Sequence, residues 1–434
     1  MKNLKYNDHI LILSLLATGI GFSSTLVAKL LILSLTLFTN LFYFQKFSLS
    51  PSVPGENHLG FVAIFVPVLG GLIVGLMARF GSKAIRGHGI PEAMENILLK
   101  ESRIPRRVIF LKPLSAAISI GSGGPFGAEG PIIATGGALG SFVGRLSFIT
   151  PKERKILLAS GAAAGMSAIF GTPLSAVLLA IELLLFEFSA KSFIPVAIAA
   201  GVAATLRHQF LDSKPFLEVP ISFNLDLKNM LLLSVGCILF GVLAVVATKV
   251  IYLLEDQFEK IPLHWMWWPS LGGLFVGLIG LIEPLSLGVG YQNIQAALSH
   301  QITVSAALGL LIWKFISWSI ALSSGTSGGT LAPLLTVGSL SGMLLGGWIQ
   351  AKVPEVSITL FALVGMAAVF AGASRSLLAS VLFAVESTQQ PVTIIPLLIG
   401  CSISYLVSHF LMTHSIMTEK IERRGVRVPS EYGA

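Results

Sequence analysis

Charge is scarce in this chain. Asp, Glu, Lys and Arg make up 12% of its 434 residues, about half the share found in an ordinary soluble domain. A surface so poor in charge excludes a conventional water-soluble fold. Cysteine is scarcer still. Cys237 and Cys401 are the two in the chain, and both lie in apolar runs. They read as small buried hydrophobes, which excludes a disulfide framework and a cysteine-based metal centre. No Gly-Lys-Ser/Thr follows any glycine-rich stretch and no His-Glu-x-x-His occurs, so neither a phosphate-binding P-loop nor a zinc hydrolase is indicated. An alternating pattern of short segments, the mark of a membrane β-barrel, is also missing.

What is there is apolar sequence. Hydrophobic residues make up 54% of the chain and the mean hydropathy is +0.83. About 20 apolar residues suffice to cross a bilayer as a helix, and windows of that length recur from Ile10 to Leu411. The chain is expected to be an all-α, multi-pass membrane protein. The first run, His9 to Phe44, is too long for the core of a signal peptide and lacks a small-residue cleavage site. It predicts one long, tilted helix.

Basic residues outnumber acidic ones, 29 to 21. They gather at the edges of apolar runs: Lys2 and Lys5, Arg79 to Arg86, Arg103 to Arg107, and Lys420 to Arg427. That distribution marks the cytoplasmic side of a membrane protein and places both termini there. No basic surface interleaved with aromatics points to nucleic acid.

The pattern predicts helices over 9–44, 60–80, 91–99, 106–119, 129–147, 152–167, 173–189, 192–208, 227–257, 268–283, 291–299, 303–323, 331–350, 358–371, 374–388, 391–411 and 414–424. The most polar long interior stretch, 209–228, divides the chain into two similar halves. The expected organisation is a short N-terminal segment (1–8), a first membrane half (9–208), a connecting segment (209–228), a second membrane half (229–424) and a tail (425–434), with no soluble domain after the last helix.

Several segments are too short to span and are broken by Gly and Pro. The clearest is GSGGPFGAEGP at 121–131, which places an acid, Glu129, inside a glycine-rich break. Irregular backbone at membrane depth must be buried in protein or line a wet cavity. Each half carries such a break, GAEGP at 127–131 and SGGTLAP at 327–333. Breaks in corresponding places point either to an inverted repeat with its site between the halves or to close glycine packing of helices.

A helix N-terminus exposes free N–H groups and the positive end of a dipole. Several aimed at one point bind an anion without a full positive charge. GHGIPE (87–92), GAEGP (127–131) and GGTLAP (328–333) all fit that design. An ionised carboxylate at such a site mimics the anion and occupies its place; protonated, it can leave. Glu129 is thus a candidate pH-sensitive gate, or else a charge that stabilises the helix starting there.

At these residues the sequence resembles the CLC family of chloride channels and chloride/proton antiporters, of the prokaryotic type without C-terminal CBS domains. The family's three signatures correspond to GHGIPE, GAEGP and GTLAP (329–333), and the runs 157–182 and 365–386 are similar too. The resemblance covers residues from about 10 to 428. It implies two inverted helical repeats with broken and re-entrant helices, a homodimer, and one anion pathway per subunit. It implies Glu129 as the external gate. Backbone groups of Thr330 and Leu331 would hold a central anion beside Gly87, His88, Gly89, Ile90, Gly329 and Met417. Gly127, Ala128 and Gly130 would form an external site. Lys112 falls on a buried lysine that favours anions in some relatives; the alternative is a lysine reaching out to the membrane interface.

Four positions depart from the family pattern. His88 stands in place of a chloride-binding serine; it either donates to the anion or turns to a carbonyl or water. Met417 replaces the tyrosine that closes the inner end, which predicts a looser or purely apolar constriction. Ala128 replaces an arginine, so Glu129 loses a neighbouring positive charge. Leu183 replaces the glutamate that receives protons from the inside in many antiporters. Glu182 and Glu187 are the candidates to relay protons instead; Glu182 projects from a different side of the helix than residue 183, and its alternative is a buried structural acid.

The missing acid favours gated, channel-like or weakly proton-coupled conduction of chloride, with a coupled chloride/proton antiporter as the alternative and a membrane enzyme as a remote one. The expected partners are chloride or another small monovalent anion, protons, lipid and a second copy of the chain, in a prokaryotic inner membrane. No metal and no cofactor are expected.

Overall fold

The computed structural model describes residues 6–147, 149–211, 214–219 and 226–429. Among them the chain is all helical. The first half holds α1 (Tyr6–Thr39), α2 (Phe65–Leu76), α3 (Ile90–Leu99), α4 (Val108–Gly121), α5 (Glu129–Leu146), α6 (Pro151–Phe170), α7 (Pro173–Ala180) and α8 (Ala190–Phe210). The second holds α9 (Leu227–Glu259), α10 (Trp268–Ile282), α11 (Tyr291–Leu298), α12 (Val304–Ser323), α13 (Leu331–Gln350), α14 (Ile358–Ser374), α15 (Leu377–Thr388), α16 (Ile394–Leu411) and the short α17 (Glu419–Glu422). Among the described residues, seven helical stretches are long and apolar enough to cross a bilayer, the first being His9–Phe44. That first run is α1 extended by a π-helical turn, Asn40–Phe44.

Local sequence explains many of the boundaries. Thr150 caps α6, accepting from the Glu153 amide while the Glu153 carboxylate accepts from the Thr150 amide, a reciprocal capping box. Pro151 stands at the first position, and Gly171 ends the helix at φ 68°. Ser189, Asp226, Thr303 and Ser357 cap α8, α9, α12 and α14.

Periodicity sets which faces are buried. In α1, Leu11, Leu15, Phe22, Leu26 and Leu30 are exposed, whereas Leu13, Ala17, Ile20, Ala28 and Leu31 are buried. Exposed leucine on one face and small or branched residues on the other suit a helix between lipid and protein. By contrast, α6 and α14 are buried along nearly their whole length and form the centre of the molecule. α6 packs on α5 and α14 on α13. Small residues let the backbones touch: a Cβ on Gly136 would overlap the Gly161 carbonyl, and one on Gly338 would lie 2.5 Å from the Gly365 carbonyl.

Those two contacts occupy equivalent places in the two halves, and others recur in the same order. Lys112 of α4 donates to the carbonyls of Ile85 (2.8 Å) and Gly87 (2.7 Å). Lys314 of α12 donates to those of Ser286 (3.0 Å) and Gly288 (2.7 Å). Glu386 accepts from the first amides of α7, Leu174 and Ser175, at 3.0 and 2.8 Å. Glu182 accepts from those of α15, Leu378 and Ala379, at 3.0 and 3.1 Å. Each half therefore caps a helix of the other with an equivalent carboxylate. Reciprocal contacts of this kind mark a two-fold relation, here between two inverted halves of one chain.

The connecting segment lies partly outside the described residues. Its residues 214–219 fold back on the second half, with Leu217 N–H donating to Ser387 O at 2.9 Å. On the opposite side of the molecule the C-terminal segment is tied down by ion pairs: Lys420 to Glu255 at 2.8 Å, Arg423 to Asp256 at 2.6 Å and Arg424 to Glu95 at 2.6 Å.

Candidate anion site

Three helix N-termini meet where the halves join. The strands of backbone that lead into α5 and α13 pair with each other: Gly127 N–H donates to Gly329 O at 3.2 Å, and Gly329 N–H to Gly127 O at 2.9 Å. A second bridge joins Gly87 and Ser327, ahead of α3 and α13. Gly89 and Gly130 lie in direct backbone contact; a Cβ on Gly89 would fall 2.4 Å from the Gly130 carbonyl oxygen, and one on Gly130 would overlap the His88 carbonyl. α3, α5 and α13 therefore begin side by side, deep in the protein, each with first-turn amides that have no acceptor within their own helix.

Glu129 is the first residue of α5 and is completely buried. Its Oε1 accepts from the Tyr291 hydroxyl at 3.0 Å. Its Oε2 has no hydrogen-bond partner. The carboxylate folds back over Gly127, so closely that a Cβ there would overlap it, and a Cβ on Gly329 would lie 2.8 Å from Oε2. Glycine at 127 and 329 is what makes room for it. The carboxylate thus sits between the broken ends of the two halves.

Two further buried polar atoms in this region lack partners, His88 Nδ1 and Thr330 Oγ1. Buried polar groups are paired in the great majority of cases, and these three unpaired atoms lie together on neighbouring helix starts. Ile90, Ala128 and Leu331 are fully or almost fully buried around it. Ser327, just ahead, accepts from Ser115 Oγ at 3.0 Å.

Lys112 does not reach for the interface. It is wholly buried, and its ammonium is held by the two carbonyls of the loop that carries His88. The same bonds fix the loop and bring a positive charge under the site. Met417 is fully buried. Its segment is pinned by Ile416 N–H to Ala373 O at 2.9 Å and by the Tyr252 hydroxyl to Ile416 O at 2.8 Å. It leads into α17, which packs on α3.

Leu183 is buried in the apolar core. Glu182, one residue that could have relayed protons in its place, has both carboxylate oxygens engaged on the first amides of α15. That arrangement makes it a helix cap.

Sequence reasoning overlooked three residues. Tyr291 looked like the start of one more short helix, and nothing in the sequence marks its hydroxyl as the partner of Glu129. Lys314 and Glu386 were detectable: each stands in the second half where Lys112 and Glu182 stand in the first, and aligning the halves would have found them.

A cavity of about 540 Å³ opens beside Ala128 and Tyr291, the neighbours of Glu129, and is lined among others by Gly288, Gly290, Phe216 and Arg207. It lies on the face away from the ion-paired C-terminal segment. Tyr291, whose hydroxyl holds Glu129, is part of its wall.

Comparison with known proteins agrees with this architecture. The family model described as voltage gated chloride channel matches residues 69–409. The H(+)/Cl(-) exchange transporter ClcA of Salmonella arizonae is 31% identical over 348 residues, 77% of this chain and 73% of that protein. The ClcA of Vibrio campbellii is 31% identical over 363 residues, 80% of this chain and 76% of that protein. Among solved structures, a slow cyanobacterial Cl-/H+ antiporter superposes with a TM-score of 0.85 at 22% identity, covering 95% of this chain and 97% of that one. A CLC-type fluoride/proton antiporter gives 0.77 at 23% identity, covering 96% and 98%. The helix order, the paired breaks and the matched sequence lead to one assignment: this multi-pass membrane protein belongs to the voltage gated chloride channel family, the CLC family.

Proposed function

We propose that the chain exchanges chloride for protons across the membrane, with Glu129 as the group that both gates the anion path and carries the proton. The observation that carries this reading is the seat of the Glu129 carboxylate. It rests between the starts of α5 and α13, over Gly127 and beside Gly329, where the exposed amides of two helices favour negative charge. An ionised carboxylate and a chloride compete for that place. Protonation removes the charge, the side chain leaves, and an anion enters. Each cycle then links one movement of a proton to the passage of anions, which is the logic of an exchanger.

Exchange is preferred to channel-like conduction because ClcA, 31% identical to this chain, is named an H(+)/Cl(-) exchange transporter. One feature favours the second reading. Leucine at 183 removes a protonatable group from the inner half, and Glu182 is engaged as a cap. A channel-like or weakly coupled transporter is what remains if no other inner group takes up the proton.

The central anion would be held by the backbone around Gly87, His88, Gly89 and Ile90, by Thr330 and Leu331 after Gly329, and by the segment at Met417. Gly127, Ala128 and Gly130 would line the external position. Lys112 would supply electrostatic support. The unpaired His88 Nδ1 and Thr330 Oγ1 support those two side chains as contacts. The working protein is proposed to be a homodimer in a prokaryotic inner membrane, with both termini cytoplasmic, lipid around its apolar faces, and membrane halves 9–208 and 229–424.

Replacing Glu129 with Ala tests the gate. Chloride efflux from proteoliposomes is expected to become nearly independent of pH and to lose its linked proton movement. Normal pH gating in the variant would overturn the assignment.

A further inference from the structure

We propose that Tyr291 is a positioning residue that latches the gate shut: its hydroxyl holds the ionised Glu129 carboxylate in its seat. The inference rests on the gate reading above. The bond is direct, Tyr291 Oη to Glu129 Oε1 at 3.0 Å, and it crosses from the second half to the first. The backbone amides of Glu129 and Ala332 also face the carboxylate, and Tyr291 adds a side-chain bond to it. A hydrogen bond to a charged acceptor is stronger than one between neutral groups, so the latch favours the charged, seated form over the neutral one.

The tyrosine is itself held in place. It is the first residue of α11, directly after Gly290 at φ 82°. The loop before it is fixed by Lys314, whose buried ammonium donates to Ser286 O and Gly288 O, and by Asn293 Nδ2 to Leu285 O at 2.9 Å. Its ring packs edge-on against Phe216 at 4.8 Å and Phe170 at 6.0 Å between centroids. Phe170 in turn meets Phe383 at 5.1 Å. The ring has a defined position, and so has its hydroxyl. The cavity above reaches Tyr291 and Ala128, so a proton arriving from that side meets the latch where it holds the gate.

Two cations face this pair from other elements. Lys314 of α12 lies behind Gly290, and Arg207 of α8 lines the same cavity, donating to Ile169 O at 3.3 Å. The aromatic residues of α6, α15 and the connecting segment carry no charge, and the start of α13 presents backbone. Replacing Tyr291 with Phe keeps the ring and leaves both cations in place.

The test is chloride efflux from proteoliposomes as a function of external pH for the native protein, Tyr291→Phe, Glu129→Ala and the double variant. Without the hydroxyl the seated carboxylate is less favoured, so protonation and opening occur at higher pH. The half-maximal pH is expected to rise by about one unit, a change of roughly tenfold in the closed-to-open ratio. The shift is expected to vanish in the Glu129→Ala background. Placing 3-fluorotyrosine at 291, a stronger donor of the same shape, should move the profile the other way; it also serves if the phenylalanine variant does not accumulate. A native profile in Tyr291→Phe alongside a pH-independent Glu129→Ala would overturn the latch and leave the gate standing. A pH-dependent Glu129→Ala would remove the gate reading and the latch with it. A rate change by Tyr291→Phe that persists without Glu129 would mean that the residue acts through packing, and would also overturn the latch.

Discussion

Gly127→Ala should open the gate without touching the glutamate. The Gly127 backbone is not in the left-handed region, so alanine can adopt it. The three heavy atoms nearest an added Cβ all belong to the Glu129 carboxyl group, and they are far inside contact distance. No backbone atom obstructs the methyl more closely. The new group therefore evicts the carboxylate from its seat and breaks the bond to Tyr291. A hydrogen bond to a charged group is worth about 1.5–3 kcal/mol. The seated form should thus lose at least roughly tenfold to a hundredfold in population. Chloride efflux from proteoliposomes, followed across pH, should approach that of Glu129→Ala, with unchanged elution of the purified protein on size exclusion. Native pH dependence in Gly127→Ala would refute the placement of the carboxylate over Gly127.

Other consequences can be checked separately. Glu182→Gln and Glu386→Gln remove equivalent caps from α15 and α7; each should cost about 1–2 kcal/mol of stability, read as comparable drops in detergent melting temperature. If Glu182→Gln alone abolished proton movement, Glu182 would be a relay as well as a cap. Gly338→Ala forces a methyl against the Gly365 carbonyl, and overpacking of about 1–3 kcal/mol should lower the melting temperature while leaving the pH profile in place. Lys112→Met leaves the carbonyls of Ile85 and Gly87 without their donor and removes the charge below the site; chloride affinity measured by calorimetry should fall.

Much of the fold was legible in the sequence, because long apolar runs and Gly-Pro breaks are local signals. The helix pattern expected from periodicity matches the observed order from α1 to α16, and the break at 127–131 is where α5 begins. The last expected helix, 414–424, proved mostly turns, with helix only over Glu419–Glu422. The paired breaks also marked the junction of the two halves. Partners distant in sequence left no such signal. The Tyr291 hydroxyl reaches Glu129 only because two halves interlock, and the carboxylate of Glu182 finds its amides on a helix of the opposite half. The sequence favours a buried Lys112 over one that reaches the interface, and its two carbonyl partners decide for the buried one.

The central claim is that anion and proton movements are linked at Glu129. Proteoliposomes loaded with chloride and diluted into low-chloride buffer, with chloride and external pH recorded together, test it most directly. The account predicts proton uptake in a fixed ratio to chloride efflux, lost in Glu129→Ala. Chloride efflux with no accompanying proton movement in the native protein would contradict it and make the chain a channel.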